Sequence, residues 1–263
     1  MSKTIVIAFA NNKGGSGKTT TCSNIGCAMA QAGKKVLMID GDMQLNLTIS
    51  FFDEEKAYEY AKGEKNIYRA IVGEKDLSDY IVETGIEGLD IVPSTSLMSS
   101  IEFDLFTKWQ RETVLQRCLE RVRAKGYYDY ILIDTPPTLG TWVMNVMCAS
   151  DFVVIPVEAS PWGLFGLANM FEFCEQAKNM SRKLEILGIA VTKADERKKY
   201  FKQTMETLQE MQNTRLFENY IRVDSAVEWA QDNSKPVVVF KKTSRSAVEY
   251  TKLAKEIMDY ANR

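Results

Sequence analysis

The 263-residue sequence predicts an α/β fold: a doubly wound, mostly parallel sheet flanked by helices on both faces. Three observations predict it. Apolar, β-rich runs recur with helical stretches between them. Those runs are nearly continuous in apolar residues rather than alternating, as strands covered on both faces must be. The first run also leads straight into a glycine-rich loop that opens a helix.

The elements follow in order. "TIVIAFA" (4–10) reads as the first strand. The start "MSKTIVIAFA" has the outline of a short signal peptide, but its apolar run enters the loop and not a small-residue cleavage site. A helix from about Lys18 to Gln31 stops at Gly33. "KVLMID" (35–40) is the second strand. Residues 51–85 read as short, charged helices with loops. "LDIVPS" (89–94), "YDYILIDT" (128–135), "DFVVIPVEA" (151–159) and "LEILGIAVTKA" (184–194) are further strands. Without a repeat, low-complexity segment or Pro/Gly linker, a single domain over 1–263 is expected.

Composition bounds the chemistry. Hydrophobic residues make up 45%, enough to bury a core without disulfides or metal. No apolar run approaches the about 18 residues of a membrane span. The five cysteines are odd in number and lack C-x-x-C spacing, as buried residues in a reducing compartment would. The absence of histidine excludes a histidine base or a His-based metal site. Net charge is −2, but residues 176–263 carry 17 Lys/Arg against 12 Asp/Glu, whereas 1–175 carry 16 against 23. The asymmetry fits either a polyanion-facing surface on the basic half or ordinary solvated helix faces.

The loop "NNKGGSGKTT" (11–20) nearly fits the phosphate-loop pattern G-x-x-x-x-G-K-[ST]. Gly14, Gly15 and Gly17 let backbone N–H groups turn toward a phosphate, with Ser16 between them and the helix N-terminus behind. Lys18 would reach the β- and γ-phosphates, and the Thr19 hydroxyl would bind Mg²⁺. Asp40 and Asp42 stand at the tip of the second strand, and Asp134 ends "ILID" in a Walker B arrangement. In a parallel sheet these tips share the edge that carries the loop. Asn12 replaces the first glycine of the pattern, and Lys13 is an additional lysine. Lys13 either points across to a second subunit's nucleotide or raises the local positive potential; the residues alone leave both open.

"KGGSGKTT", "VLMIDGDMQLNLT", "YDYILIDTPPTLG", "GIAVTKADER" and "KPVVVFKKTSRSAVEYTKLAKEI" resemble the deviant Walker A ATPases, and among them the ParA partition ATPases. The correspondence runs from residue 3 to about 258 and is thinnest over 51–90. The resemblance implies a P-loop ATPase that binds ATP and Mg²⁺. In it Lys13 is the signature lysine reaching a partner's phosphates in an ATP-sandwich homodimer. Lys18 and Thr19 are the Walker A lysine and metal ligand, with Thr20 beside them. Asp42 is the carboxylate needed for hydrolysis, and Asp40 and Asp134 are magnesium-shell residues. Segments 40–48 and 134–142 would sense the γ-phosphate. Lys193, Arg222 and Asp224 fall at the adenine pocket, although Arg222 stands where the family commonly has proline and Lys193 replaces an apolar residue. Arg197 matches a DNA-binding arginine, and Lys198, Lys199, Lys202, Arg222, Lys241, Lys242 and Arg245 extend a basic patch.

The implied function is DNA partition. An ATP dimer would bind double-stranded DNA non-specifically on the nucleoid, and hydrolysis stimulated by a ParB-like centromere-binding protein would release it. The expected location is cytoplasmic, without a membrane anchor, and no N-terminal helix-turn-helix extension is expected. The alternative is a MinD-like or protein-cargo-positioning ATPase of the same superfamily.

Overall fold

The computed structural model describes residues 4–160, 162–181, 183–211 and 214–263. Seven strands form one sheet: β1 (Ile5–Phe9), β2 (Val36–Asp40), β3 (Val82–Ile86), β4 (Leu89–Val92), β5 (Tyr130–Asp134), β6 (Phe152–Glu158) and β7 (Glu185–Thr192). Their order is β3-β4-β2-β5-β1-β6-β7, and every pairing is parallel except β3 with β4. The helices are α1 (Lys18–Gln31), α2 (Asn46–Ile49), α3 (Glu54–Lys62), α4 (Ile67–Val72), α5 (Ile101–Phe106), α6 (Val114–Lys125), α7 (Thr141–Ala149), α8 (Leu167–Met180), α9 (Lys199–Gln209), α10 (Ser225–Asp232), α11 (Val237–Phe240) and α12 (Arg245–Ala261).

The continuous apolar runs are explained by two cores. Alternate residues Val6, Ala8, Leu37, Ile39, Ile131 and Ile133 pack on one face with α4 to α8. Their neighbours Ile7, Phe9, Met38 and Leu132 pack on the other with α1 and α12. Each such side chain contributes about 1.5–3 kcal/mol when fully buried, so neither face of these strands tolerates a polar residue cheaply. Helix α1 is accordingly buried along nearly its whole length and ends before Gly33, which takes φ 81°. All five cysteines are free and buried. No helix among the described residues is long and apolar enough to cross a membrane.

The expected strand over 89–94 ends at Val92, where Pro93 lacks the N–H to continue the ladder. A larger difference lies in residues 51–85, expected to hold only helices and loops. Its end is the antiparallel strand β3, "VETGI", which is half exposed and interrupted by a register shift between Glu83 and Ile86. The opposite side of the sheet is also covered. Beyond β7, Ile189 bridges Leu216 and Ala194 bridges Arg222, so the segment 215–223 lies along its free side.

Register positions the site. Asp40 pairs with Asp134 across β2 and β5, and Phe9 pairs with Asp134 across β1 and β5. The two acidic strand tips are therefore neighbours, beside the strand that feeds the glycine-rich loop.

Candidate nucleotide site at the phosphate loop

The loop between β1 and α1 needs glycine at two places. Gly15 and Gly17 take φ 75° and 84°, conformations that cost other residues free energy. A Cβ on Gly17 would also lie 3.3 Å from Thr192 Oγ1. Asn12, by contrast, has no left-handed backbone, so the first glycine of the pattern is dispensable here. Its amide instead fills the space against Gly166, where a Cβ would lie 2.7 Å from Asn12 Nδ2. Side-chain donors hold three of its carbonyls. Lys18 Nζ donates to Lys13 O at 3.1 Å, Lys193 Nζ to Gly15 O at 2.8 Å, and Thr192 Oγ1 to Ser16 O at 2.9 Å. Gly17, the N-cap of α1, offers no side-chain cap, so the first N–H groups of a 14-residue helix face the loop without one.

The carboxylates divide into distinct roles. Thr19 Oγ1 donates to Asp134 Oδ2 at 2.7 Å. Asp134 is fully buried, and its Oδ1 has no hydrogen-bond partner among the described residues. Burial pushes its carboxyl well above the usual range, the Asp40 charge adds to this, and the Thr19 bond opposes it. Asp40 is equally buried but fully engaged. Oδ2 accepts from Thr48 N at 2.8 Å and Thr48 Oγ1 at 2.6 Å, and Oδ1 accepts from Asp42 N at 3.2 Å. It anchors the segment 40–48, and burial raises its pKa to about 6. Asp42 Oδ1 accepts from Gln44 N at 3.1 Å, and Asp42 O accepts from Ser94 Oγ at 2.7 Å. Lys18 is buried beside these acids. Burial lowers its pKa, while Asp134 and Asp42 pull it back up.

Lys13 is held within its own chain. Its Nζ donates to Glu158 Oε2 at 3.1 Å and Ser160 Oγ at 3.2 Å, at and just beyond the end of β6. Lys13 N donates to Asn11 Oδ1, and Asn11 Nδ2 donates to Pro156 O at 2.7 Å, which ties the loop to the same strand. Neither Glu158 nor Ser160 stands out in the sequence, although Glu158 ends an apolar strand as Asp40 and Asp134 do.

A cleft of about 800 Å³ opens from the loop, lined by Gly14, Thr19, Thr20, Asp42, Lys193 and the segment 221–224. Asp224 lies there as the N-cap of α10. Its Oδ1 accepts from Ala226 N at 3.0 Å and Oδ2 from Ser246 N at 3.0 Å, so both oxygens join α10 to α12. Arg222 Nε donates to Glu249 Oε1 at 2.6 Å, and its Nη1 to Glu196 Oε2 at 3.2 Å. The apolar surface of the cleft includes Ile49, Pro137, Ile221, Val223 and Val227.

A family model described as an AAA domain matches residues 4–186. Over 253 residues the chain is 36% identical to the sporulation initiation inhibitor protein Soj of Bacillus subtilis (strain 168), covering 96% of this chain and 97% of Soj. It is 32% identical over 254 residues to the chromosome partitioning protein ParA of Caulobacter vibrioides (strain NA1000 / CB15N), covering 96% and 93%. The chain belongs to the ParA-type family of P-loop ATPases. Solved structures share its fold. They include a plasmid partition protein from Borrelia burgdorferi, with TM-score 0.78 and 24% identity over 98% of this chain and all of that one. Cyanothece McdA in complex with ATP has TM-score 0.82 and 22% identity over all of this chain and 96% of that one.

In this ParA-type chain the basic residues named from sequence have different surroundings. Arg197, Arg222 and Arg245 line a cavity of about 350 Å³ together with Asp195 and Glu196. Arg197 is paired with Asp195 at 2.9 Å but remains 90% exposed. Lys198, Lys199 and Lys202 continue from it along the start of α9, all exposed. Lys241 lies over the Trp229 ring at 6.0 Å, and neither it nor Lys242 lines that cavity.

Proposed function

We propose that this protein is a magnesium-dependent ATPase that partitions DNA, pairing as an ATP-bound homodimer on double-stranded DNA and leaving it after hydrolysis. One observation carries the reading: the Thr19–Asp134 pair, with a buried, unpartnered Asp134 oxygen, stands at the uncapped start of α1. That donor set suits a hard cation beside a phosphate. Thr19 and Asp134 would hold Mg²⁺, which would supply neutralisation of phosphate charge when bound. Lys18 would turn from the Lys13 carbonyl to the phosphates. Asp42 would orient the attacking water and take its proton as the water oxygen bonds to the γ-phosphorus and the bond to ADP breaks.

Lys13 would enter the partner subunit's site. Its pairing with Glu158 does not oppose this, since an ion pair whose side chains are 25% and 28% exposed is worth about 0–1 kcal/mol. The dimer would place two copies of the Arg197–Lys202 surface on one duplex. Contacts of that kind read phosphates rather than bases, which suits non-specific attachment to the nucleoid. A ParB-like partner would accelerate hydrolysis.

The test is ATP turnover with and without Mg²⁺, DNA and the product of the neighbouring gene. Turnover that needs Mg²⁺ and rises with both macromolecules supports the reading. A chain that fails to bind ATP, or binds DNA equally without it, overturns it.

A further inference from the structure

We infer that Trp142 is a positioning residue for Asp42, coupling the 134–142 segment to the 40–48 segment through its indole N–H; this rests on the ATPase reading above. Trp142 is the second residue of α7 and is 2% exposed, whereas Trp109, Trp162 and Trp229 are 59–83% exposed. Its Nε1 donates to the carbonyl of Gly41 at 2.9 Å. Gly41 is the single residue between Asp40 and Asp42, and it is gripped from two sides. Its N donates to Asp134 O at 3.1 Å, and a Cβ at this position would lie 2.7 Å from that oxygen and 3.1 Å from Trp142 Nε1. No side chain larger than hydrogen fits between β5 and the indole. The start of α7 is itself fixed, because Glu102 on α5 accepts from Thr141 N at 2.8 Å and from Trp142 N at 3.1 Å.

The consequence is mechanical. Asp40 holds the N–H of the peptide between Gly41 and Asp42, and Ser94 holds the Asp42 carbonyl, which leaves the other end of that peptide. The carbonyl of that peptide is held by Trp142. A displacement at the start of α7 therefore reaches the Asp42 carboxylate through one hydrogen bond and one residue. A buried indole N–H needs an acceptor, and a purely apolar side chain would fill the same volume without holding the carbonyl.

The experiment compares wild type with Trp142→Phe, which keeps the ring and removes the donor. The expected result is a kcat for ATP lowered about tenfold, with KM for ATP and affinity for ADP within about twofold. A kcat equal to wild type overturns the inference, as does a loss confined to KM. If wild type itself neither binds nor hydrolyses ATP, the ATPase reading fails first and takes this one with it. Should Trp142→Phe not fold, the wild-type indole N–H resonances supply the test. They are assigned by replacing Trp109, Trp162 and Trp229 singly with Phe. The Trp142 resonance should exchange most slowly and move when ATP with Mg²⁺ replaces ADP. Exchange as fast as the exposed indoles, or no movement, overturns the inference.

Discussion

Lys13 Nζ lies 3.1 Å from Glu158 Oε2 in the same chain, so the lysine assigned to a partner's nucleotide has an intramolecular resting place. Releasing it should ease pairing. Glu158→Gln is expected to lower the protein concentration for ATP-dependent dimerisation up to about fivefold, the equivalent of a pair worth about 1 kcal/mol. Sedimentation in ATP would measure it; a variant that dimerises more weakly would show that Glu158 supports the dimer instead. In the companion variant Lys13→Ala, ATP binding should persist while stimulated hydrolysis is lost.

Lys193 occupies a left-handed backbone conformation, φ 50°, and uses it to reach the Gly15 carbonyl. With Lys193→Met the loop loses one of three carbonyl restraints. ADP and ATP affinities should then fall together, about three- to tenfold, by calorimetry. Lys193→Arg, which keeps a donor, should recover part of the loss. Unchanged affinity would mean that Thr192 and Lys18 suffice to shape the loop.

Asp42 is 7% exposed and its backbone is held at both ends. Asp42→Ala should leave nucleotide binding intact, abolish hydrolysis and leave a long-lived dimer on DNA. Retention on immobilised DNA after ATP is withdrawn would measure it. Normal turnover in this variant would remove Asp42 from the mechanism.

The buried Asp40 gives the nucleotide-free protein a pH dependence of predictable sign. Its folded pKa of about 6 lies above the ordinary carboxylate value of about 3.9, so folding takes up a proton in between. Stability from this group is full at low pH and lost as pH rises toward 6. Acidifying from pH 7 to pH 5 should therefore stabilise the apo chain by about 1 kcal/mol. Thermal unfolding at the two pH values would show it. Asp40→Asn should reduce the dependence and leave the part that Asp134, also raised by burial, supplies; a wild-type midpoint that falls on acidification would contradict the assignment.

Much of this architecture is legible in residue order. Strands buried on both faces must be apolar throughout, so β1, β2, β5, β6 and β7 announce themselves, and the loop declares its glycines and its lysine. The edge strand β3 is hidden because one of its sides is wet and Gly85 interrupts it. The candidate site is legible where a motif and a strand tip bring residues to one sheet edge, as with Lys18, Thr19 and Asp134. It is not legible where long-range contacts decide. The pairing of Lys13 with Glu158 spans 145 residues, and the occupation of Asp224 by two backbone N–H groups depends on how α12 packs. The basic residues are the clearest instance: charge asymmetry says nothing about Glu249 and Glu196 engaging Arg222.

Both margins of the sheet are guarded. On one side stands a short, irregular strand bearing Glu83, and on the other the segment 215–223 already bonds the backbone of β7 from Ile189 onward. Polymers that grow by adding β-strands side by side at the edge of a sheet find no long, flat template here. Copies of this molecule that meet through side chains and loops make a contact that ligands can strengthen or weaken without unravelling any ladder.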